Sequence, residues 1–381
     1  MDIGLYLHVP FCVHKCGYCN FASGEFTSLS QESYVDALLS ELNSREELKN
    51  NKVHTIFIGG GTPSYLETKI LRKLLKGVKA FSRHAVEWTV ENNPGSLTKE
   101  KIFLYQEYGV NRLSLGVQSF DEKELKFLER QHNVVEAHNA IELVQQYYES
   151  KWNVDLIYAL PEQTETSWLK SINDILQYDP SHLSLYELTY ETQTALGQLH
   201  KKGKIKSLGD EAILRLQQSA IDMLSESQLK RYEISNYAKT NKECQHNLNI
   251  WKAMEFIGCG NGAHGRYDWT FHRNVSSPSE YIKKINKNKN AIVEKTTDNS
   301  ASQQLMTLLV LGLRSIEGVS TKKIKKITGF SEKELWPELP NYLKKKLIFK
   351  EKSIVCHAEG WNVLDQIVIE LTNIASKIML A

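Results

Sequence analysis

The sequence has no stretch approaching 18 consecutive apolar residues, so nothing in it predicts a membrane-spanning helix. It also lacks a surplus of charge, and a net charge of +2 is too small to indicate wholesale nucleic-acid binding. The first apolar run begins at residue 3, so we expect no signal or transit peptide. Six cysteines, three clustered and three scattered, do not form the pattern of a disulfide framework. We therefore expect a protein of the reducing cytoplasm.

What is present is an ordinary globular composition, with 41% hydrophobic and 24% charged residues over 381 positions. A chain of this length predicts two or three domains. We place a barrel domain at residues 1–200, an extension of the barrel at 201–285 and a small helical domain at 301–381.

Short β-rich runs alternate with helical periodicity through the first half of the chain. Strands are predicted at residues 3–9, 53–58, 86–91, 112–118, 152–157 and 182–187, and helices at 31–49, 70–81, 99–108, 134–148 and 167–176. This alternation predicts a parallel sheet covered by helices. Polar and glycine residues cluster at the carboxyl ends of the strands, which is typical of barrel folds. We therefore predict an α/β fold with an open, partial (β/α)6 barrel, and a doubly wound sheet remains the alternative.

The second half of the chain is less regular. A helix is predicted at residues 210–225 and an extended segment at 231–237, whereas residues 244–274 lack periodicity and 286–300 resemble a polar linker. Helices at 302–314, 321–327 and 332–347, a hairpin at 348–356 and a last helix from 362 resemble a winged-helix module. Its many lysines are typical of a solvated face, so we expect no nucleic-acid partner.

Three cysteines follow the first strand in the spacing C-x3-C-x2-C, at Cys12, Cys16 and Cys19. Thiolates are soft ligands, and three of them within eight residues indicate a metal site. A structural zinc ion normally takes a fourth ligand from a second pair of cysteines or histidines, and no such pair follows. The other interpretation is a four-iron cluster held by three cysteines, with one iron left open.

Several other residues are candidates for a site at the strand ends. The turn Gly59-Gly60-Gly61-Thr62-Pro63 follows a strand and precedes a helix, which allows a ligand to approach the backbone closely. The residues near the ends of the later strands are Glu91, Gln118, Arg130 and Asp155. Each alone is more often a capping or surface residue, but together they are consistent with a ring of polar groups around one pocket.

Two motifs lie between residues 244 and 274. Gly258 to Ala263 fit the dinucleotide fingerprint G-x-G-x-x-A, but no βαβ unit surrounds them, so we reject that interpretation. The segment from His246 to Trp251 is either an Asn-rich turn or a porphyrin site, with an axial histidine and a flat tryptophan surface.

The cysteine motif after a strand resembles the signature of the radical S-adenosylmethionine (SAM) proteins. More narrowly, five segments resemble the oxygen-independent coproporphyrinogen oxidase family: residues 6–12, 59–63, 116–120, 155–161 and 262–265. The resemblance implies that Cys12, Cys16 and Cys19 hold a [4Fe–4S] cluster. It also implies a SAM site formed by Tyr6, Tyr18, Gly60, Gly61, Thr62, Glu91, Gln118, Arg130 and Asp155.

The family has two functional branches. The decarboxylating oxidase has a fourth cysteine two residues after the third, where this chain has Phe21, and a long arm before the tyrosine. The haem-chaperone branch has three cysteines and an H-N-x-x-Y-W motif, which this chain matches except at Ile250. The chaperone is the better match, with His246 and Trp251 as candidate haem contacts, and the oxidase is the alternative. A third possible function class is a binding module stabilised by a structural zinc ion, without redox chemistry. The expected partners are haem and an acceptor protein of unassigned identity, in the cytoplasm or at a membrane.

Overall fold

The computed structural model describes residues 1–329, 339–350 and 352–380. Its strands are β1 (Asp2–Val9), β2 (Lys52–Gly60), β3 (Glu87–Asn92), β4 (Arg112–Gln118), β5 (Lys151–Tyr158), β6 (His182–Glu187), β7 (Lys230–Arg231), β8 (Asn236–Ala238), β9 (Phe256–Cys259), β10 (His264–Tyr267), β11 (Thr270–Asn274), β12 (Ile292–Thr297), β13 (Val319–Ser320), β14 (Leu347–Lys350) and β15 (Ser353–Cys356).

Its α-helices are α1 (Gln31–Ser44), α2 (Glu46–Asn50), α3 (Thr68–Lys79), α4 (Lys99–Tyr108), α5 (Glu122–Phe127), α6 (Val134–Tyr147), α7 (Glu165–Leu176), α8 (Ala195–Lys201), α9 (Asp210–Ser225), α10 (Gln245–Trp251), α11 (Pro278–Asn288), α12 (Ala301–Gly312), α13 (Thr321–Thr328), α14 (Asn341–Lys344) and α15 (Leu364–Leu380). Short 3-10 turns occur at Pro63–Tyr65, Ser82–His84, Pro94–Ser96 and Ala358–Val363.

Strands β1 to β6 lie side by side in chain order and pair in parallel, with helices between consecutive strands. Strands β9 to β12 extend the sheet beyond β1, and β8 and β7 extend it beyond β6, so that it does not close on itself. The prediction of an open, partial (β/α)6 barrel is therefore confirmed.

The two faces of each parallel strand differ in chemistry. In β4, Leu113 and Leu115 are fully buried against the helices. The alternate residues Arg112 and Ser114 face the interior of the barrel and line a cavity there. Residues that alternate along a strand face opposite sides of the sheet. The apolar outer face therefore forms the core, and the barrel interior is left polar.

Local capping residues explain where several helices begin. Asn133 accepts a hydrogen bond from the backbone N–H of Glu136, and the Glu136 side chain accepts one in return at the start of α6. Thr164 and Ser167 make the equivalent reciprocal pair at α7. These contacts satisfy backbone donors that have no partner inside the helix.

The sequence predictions fail mainly after residue 244. The segment predicted as a linker, residues 286–300, instead contains the end of α11 and strand β12, which pairs antiparallel with β11. The segment without periodicity contains α10 and strands β9, β10 and β11. The single helix predicted at residues 31–49 is broken at Arg45, whose extended backbone separates α1 from α2.

The C-terminal part has its own hydrophobic cluster around Leu309, Leu313 and Leu371. Its three-stranded sheet has the order β13-β15-β14, and the indole N–H of Trp361 donates to the Leu313 carbonyl at 2.8 Å. The helices and small sheet agree with the winged-helix-like prediction. The predicted helix at 332–347 lies partly outside the described residues, and its described part holds α14 and the start of β14.

Candidate functional site

A cavity of about 750 Å³ occupies the interior of the open barrel. It runs from the cysteine loop after β1 to α10, whose Asn247 lines its wall. Ligand sites in proteins usually have volumes of about 300–1,000 Å³. The cavity is therefore large enough for a cofactor of ordinary size.

The three clustered cysteines line one end of this cavity, and none of them is in a disulfide. The loop is tied to its surroundings by backbone hydrogen bonds from Cys12 to Gly24 and from Cys19 to Cys16, both at 3.0 Å. Burial raises the pKa of the Cys12 thiol, although hydrogen bonds from Ser23 and Thr62 oppose this shift. The loop thus presents three unpaired thiols to a single space.

A cationic group lies beside these thiols. The Arg130 guanidinium is 3.5 Å from the Cys16 sulfur through Nη1, and its Nη2 donates to the Gly116 carbonyl at 2.6 Å. A neighbouring positive charge stabilises a thiolate, which is the form that binds iron or zinc. The donor set of three soft thiols next to an arginine therefore fits an iron–sulfur cluster.

The glycine turn after β2 lies directly against the cysteine loop. Gly60 has φ +111°, and a Cβ there would lie 2.4 Å from the His8 ring. A Cβ on Gly61 would lie 2.8 Å from the Phe11 carbonyl oxygen. Gly61 and Thr62 donate backbone hydrogen bonds to Val9 and Phe11 at 2.7 and 2.8 Å. Glycine is required here because the two segments approach too closely for a side chain.

Two carboxyl groups face the cavity from β3 and β5. Glu91 Oε2 accepts a hydrogen bond from the Gly60 backbone N–H at 3.0 Å. Burial, with a contribution from the Asp155 charge, raises the pKa of Glu91 to about 7. Burial also raises the pKa of Asp155, which accepts hydrogen bonds from Ser114 at 3.1 Å and Asn153 at 2.8 Å. Both carboxyl groups are thus held in fixed orientations toward the cavity.

The remaining residues of the predicted polar ring are also brought together. Tyr18, Thr62, Gln118 and Arg130 all line the cavity. Gln118 has φ +74° at an irregularity in the pairing of β4 with β5. This irregular backbone ends the strand beside the site, as β-bulges often do near functional residues.

Tyr6 lies beside the cavity, with its ring centre 6.2 Å from that of Phe57, which lines it. Its hydroxyl shares a 3.0 Å hydrogen bond with His8 Nδ1, and His8 Nε2 is 3.2 Å from the Ala22 carbonyl. Burial lowers the pKa of His8 to about 4, so the ring is neutral near pH 7. The Tyr6–His8 pair thus links β1 to Ala22, just after the cysteine loop.

His246 and Trp251 are not on the cavity wall. His246 is 3% exposed, its Nδ1 is 2.9 Å from the Thr55 hydroxyl, and its ring packs on Phe57. Burial lowers the pKa of His246 to about 4. The Arg314 guanidinium lies 6.0 Å from the centre of the Trp251 ring, and thus connects α10 to the C-terminal helices.

Comparison with known proteins agrees with this geometry. Residues 6–175, which contain the three cysteines, Glu91 and Asp155, match the Radical SAM superfamily. A protein named heme chaperone HemW from Buchnera aphidicola (Schizaphis graminum) is 38% identical over 69% of this chain and 70% of its own length. Two others with that name are each 34% identical: the Escherichia coli protein covers 88% of this chain and 89% of its own length, and the Bacillus subtilis protein 92% and 93%. The chain belongs to the HemW family.

The fold of this HemW family member also resembles a solved structure described as coproporphyrinogen III oxidase (HemN) from Escherichia coli, a radical SAM enzyme. The two superimpose with a TM-score of 0.82 at 20% identity, over 97% of this chain and 90% of that one. At this identity the likeness concerns the fold alone. No helix in the described part of the chain is long and apolar enough to cross a membrane.

Sequence reasoning missed the lower half of the cavity of this HemW relative. Arg112, Asn153, Ser184, Ser235 and Asn247 line it, and the first three lie inside predicted strands. The signal was the alternation of polar with apolar residues within β4, β5 and β6. In a parallel barrel such alternation indicates a polar interior, whereas typical barrels fill that space with branched apolar side chains.

Proposed function

We propose that this chain is a haem chaperone that holds a [4Fe–4S] cluster and SAM in its barrel and transfers haem to an acceptor protein. One observation carries the proposal: three unpaired cysteines and two oriented carboxyl groups face a single cavity. Haem is proposed as the ligand because the relatives are named heme chaperones.

In this proposal Cys12, Cys16 and Cys19 hold the cluster. A cluster with only three protein thiolates keeps one iron free to bind the amino and carboxylate groups of SAM. Arg130 compensates the negative charge of the thiolates, and the Gly60–Gly61 turn keeps the loop close to β2. Glu91 is suited to accept hydrogen bonds from ribose hydroxyl groups.

The cluster is tested by substituting each cysteine with serine and measuring iron and sulfide after anaerobic reconstitution. Loss of the cluster is expected for the three loop residues because each removes a thiolate from the cavity. The scattered, buried residues Cys244, Cys259 and Cys356 are the matched controls and should keep it. Loss of iron in the control Cys259→Ser, with full retention in Cys16→Ser, would contradict the proposed ligand set.

The assignment of haem contacts to His246 and Trp251 is a separate part of the proposal. His246 is hydrogen-bonded to Thr55 of β2, so it can reach the haem iron only when α10 moves away. An iron–imidazole bond dominates the visible spectrum of bound haem. We therefore expect His246→Ala to shift the haem absorption band, and Trp251→Ala to weaken haem retention with a smaller spectral change.

The variant Thr55→Val separates an axial role of His246 from a structural one. It removes the hydrogen bond but keeps the imidazole, so it should make the ligand easier to release and strengthen haem binding. An unchanged haem spectrum in His246→Ala would move the axial ligand elsewhere, and the exposed His264 is the next candidate. Loss of the iron–sulfur cluster in His246→Ala would mean that His246 only supports the fold.

A direct assay distinguishes the chaperone from the oxidase. The reconstituted protein, given haem, should pass it to an added apoprotein, as measured by the spectrum of the acceptor. Given coproporphyrinogen, SAM and a reductant, it should form no decarboxylated product, because Phe21 stands where the oxidase has its fourth cysteine. Product formation over multiple turnovers would replace the chaperone proposal with the oxidase.

A further inference from the structure

Arg112 is a buried cation inside the barrel that the proposed cofactor sites do not use. It begins β4, four residues before Gly116, and strands rise about 3.3 Å per residue, so it lies roughly 13 Å deeper than the Gly116 level. The side chain is 2% exposed and lines the cavity. The guanidinium therefore faces the lower part of the barrel interior, below the cysteine loop.

Among the described residues, no hydrogen bond or ion pair engages this guanidinium. Its Nε is buried without a partner, and so is the hydroxyl oxygen of Thr89, the residue in register with it on β3. Asn247, on α10, also lines the cavity. We refer to Thr89, Arg112 and Asn247 as the lower site.

Two carboxylates whose charges act on Arg112, Glu87 and Asp155, already accept hydrogen bonds from other donors. Glu87 accepts backbone hydrogen bonds from Gln245 and His246, both at 3.0 Å, at the start of α10. Asp155 accepts hydrogen bonds from two neutral side chains, as described above. Burial lowers the pKa of Arg112 and these charges raise it, but neither carboxylate accepts a hydrogen bond from its guanidinium.

A buried charge without a hydrogen-bonded partner is costly, so such a group at a cavity wall indicates an anionic ligand. The planar fork of arginine donors matches the two oxygens of a carboxylate. A neighbouring hydroxyl and amide can complete the hydrogen bonds of the same group. We propose that the lower site binds the carboxylate group of a ligand that enters the barrel.

Two sources have this chemistry: a propionate side chain of haem, or a small free carboxylic acid. Binding of a haem propionate rests on the proposed function, whereas binding of a small free acid does not. Haem dimethyl ester retains the macrocycle but masks both carboxylates, and propionamide is the neutral counterpart of propionate. These pairs of probes separate the two sources.

The experiment compares reconstituted wild type with Arg112→Gln and Arg112→Lys. The matched control is Arg266→Gln, because Arg266 is equally buried at 2% but lies outside the cavity and donates to the Met254 carbonyl. Affinities for haem and its dimethyl ester are measured by tryptophan fluorescence quenching. Thermal unfolding is measured with propionate or propionamide.

If haem is the source, wild type should bind haem at least tenfold more tightly than the ester, and Arg112→Gln should abolish that preference. If a small acid is the source, propionate but not propionamide should raise the melting temperature, and Arg112→Gln should remove the effect. In either case Arg112→Lys should retain part of the response, and Arg266→Gln all of it.

The inference is overturned if wild type shows neither preference, a result that does not depend on whether Arg112→Gln folds. It is also overturned if Arg266→Gln loses the same preference as Arg112→Gln. If the wild type binds neither haem nor its ester, the proposed function is contradicted. The thermal unfolding experiment with propionate and propionamide then tests the lower site alone.

Discussion

The pKa of Glu91 leads to a measurable dependence of stability on pH. Its carboxyl group accepts the Gly60 N–H inside the cavity, and burial, followed by the Asp155 charge, raises its pKa from 4.5 to about 7. Between these two values the folded protein keeps a proton that the unfolded chain releases. The contribution of Glu91 to the free energy of unfolding therefore falls as the pH rises from 4.5 to 7, and stays low above pH 7.

The magnitude follows from the difference between the two pKa values. Because a tenfold change in proton affinity corresponds to about 1.4 kcal/mol, the full difference is about 3 kcal/mol. Glu91 is partly exposed to solvent, which screens part of this energy, so we expect about 2 kcal/mol. Glutamine cannot ionise but can still accept the Gly60 hydrogen bond. Glu91→Gln should therefore be more stable than wild type by about 2 kcal/mol at pH 8, with little difference at pH 4.5.

Urea unfolding of the cofactor-free protein at several pH values measures this difference. The control is Glu149→Gln, which makes the same charge change at an exposed position on the protein surface. It should follow the wild-type curve at every pH. Equal stability of Glu91→Gln and wild type at pH 8 would contradict this prediction, because it would mean that ionised Glu91 is well solvated in the folded state.

Three further predictions concern single residues. Gly60→Ala should lower the melting temperature and the iron content after reconstitution, because its Cβ would meet the His8 ring at φ +111°; calorimetry and an iron assay check this, and normal iron content would contradict it. Leu115→Ala, at a fully buried site, should lower the free energy of unfolding by about 2–5 kcal/mol, whereas exposed Val135→Ala should change it little. His246→Gln should weaken the rise in the free energy of unfolding between pH 4 and 6.5, because the folded wild type resists protonation of this buried ring. Urea unfolding at pH 5 and pH 7 measures this difference, and an equal rise in both proteins would contradict the prediction.

The parallel strands and their helices could be predicted closely because their signals are local. The predicted bounds of α4, β4, β6 and α9 agree with the structure to the residue. Each of these elements is bounded by its own capping or turn residues, and each carries an apolar face. The spacing of the cysteines and the glycine turn also placed one end of the site, because both lie directly at strand ends.

The extension of the sheet could not be predicted in the same way. Strand β12 is mostly exposed, so its sequence lacks an apolar alternation and resembles a linker. It is a strand because its backbone pairs with β11, from Thr270 opposite Thr297 to Asn274 opposite Ile292. Backbone hydrogen bonds between segments are almost independent of side-chain type, so they leave little trace in the sequence.

The alternation of elements, the cysteine loop and the residues at the strand ends follow from local sequence, because each depends on local periodicity and turn chemistry. Tertiary packing placed the inward faces of the strands around one interior and set α10 against β2. It brought His246 of α10 into contact with Thr55 and Asn247 to the same cavity as Arg112. Because the helices cover the apolar face of the sheet, the remaining polar side chains of distant strands share the barrel interior.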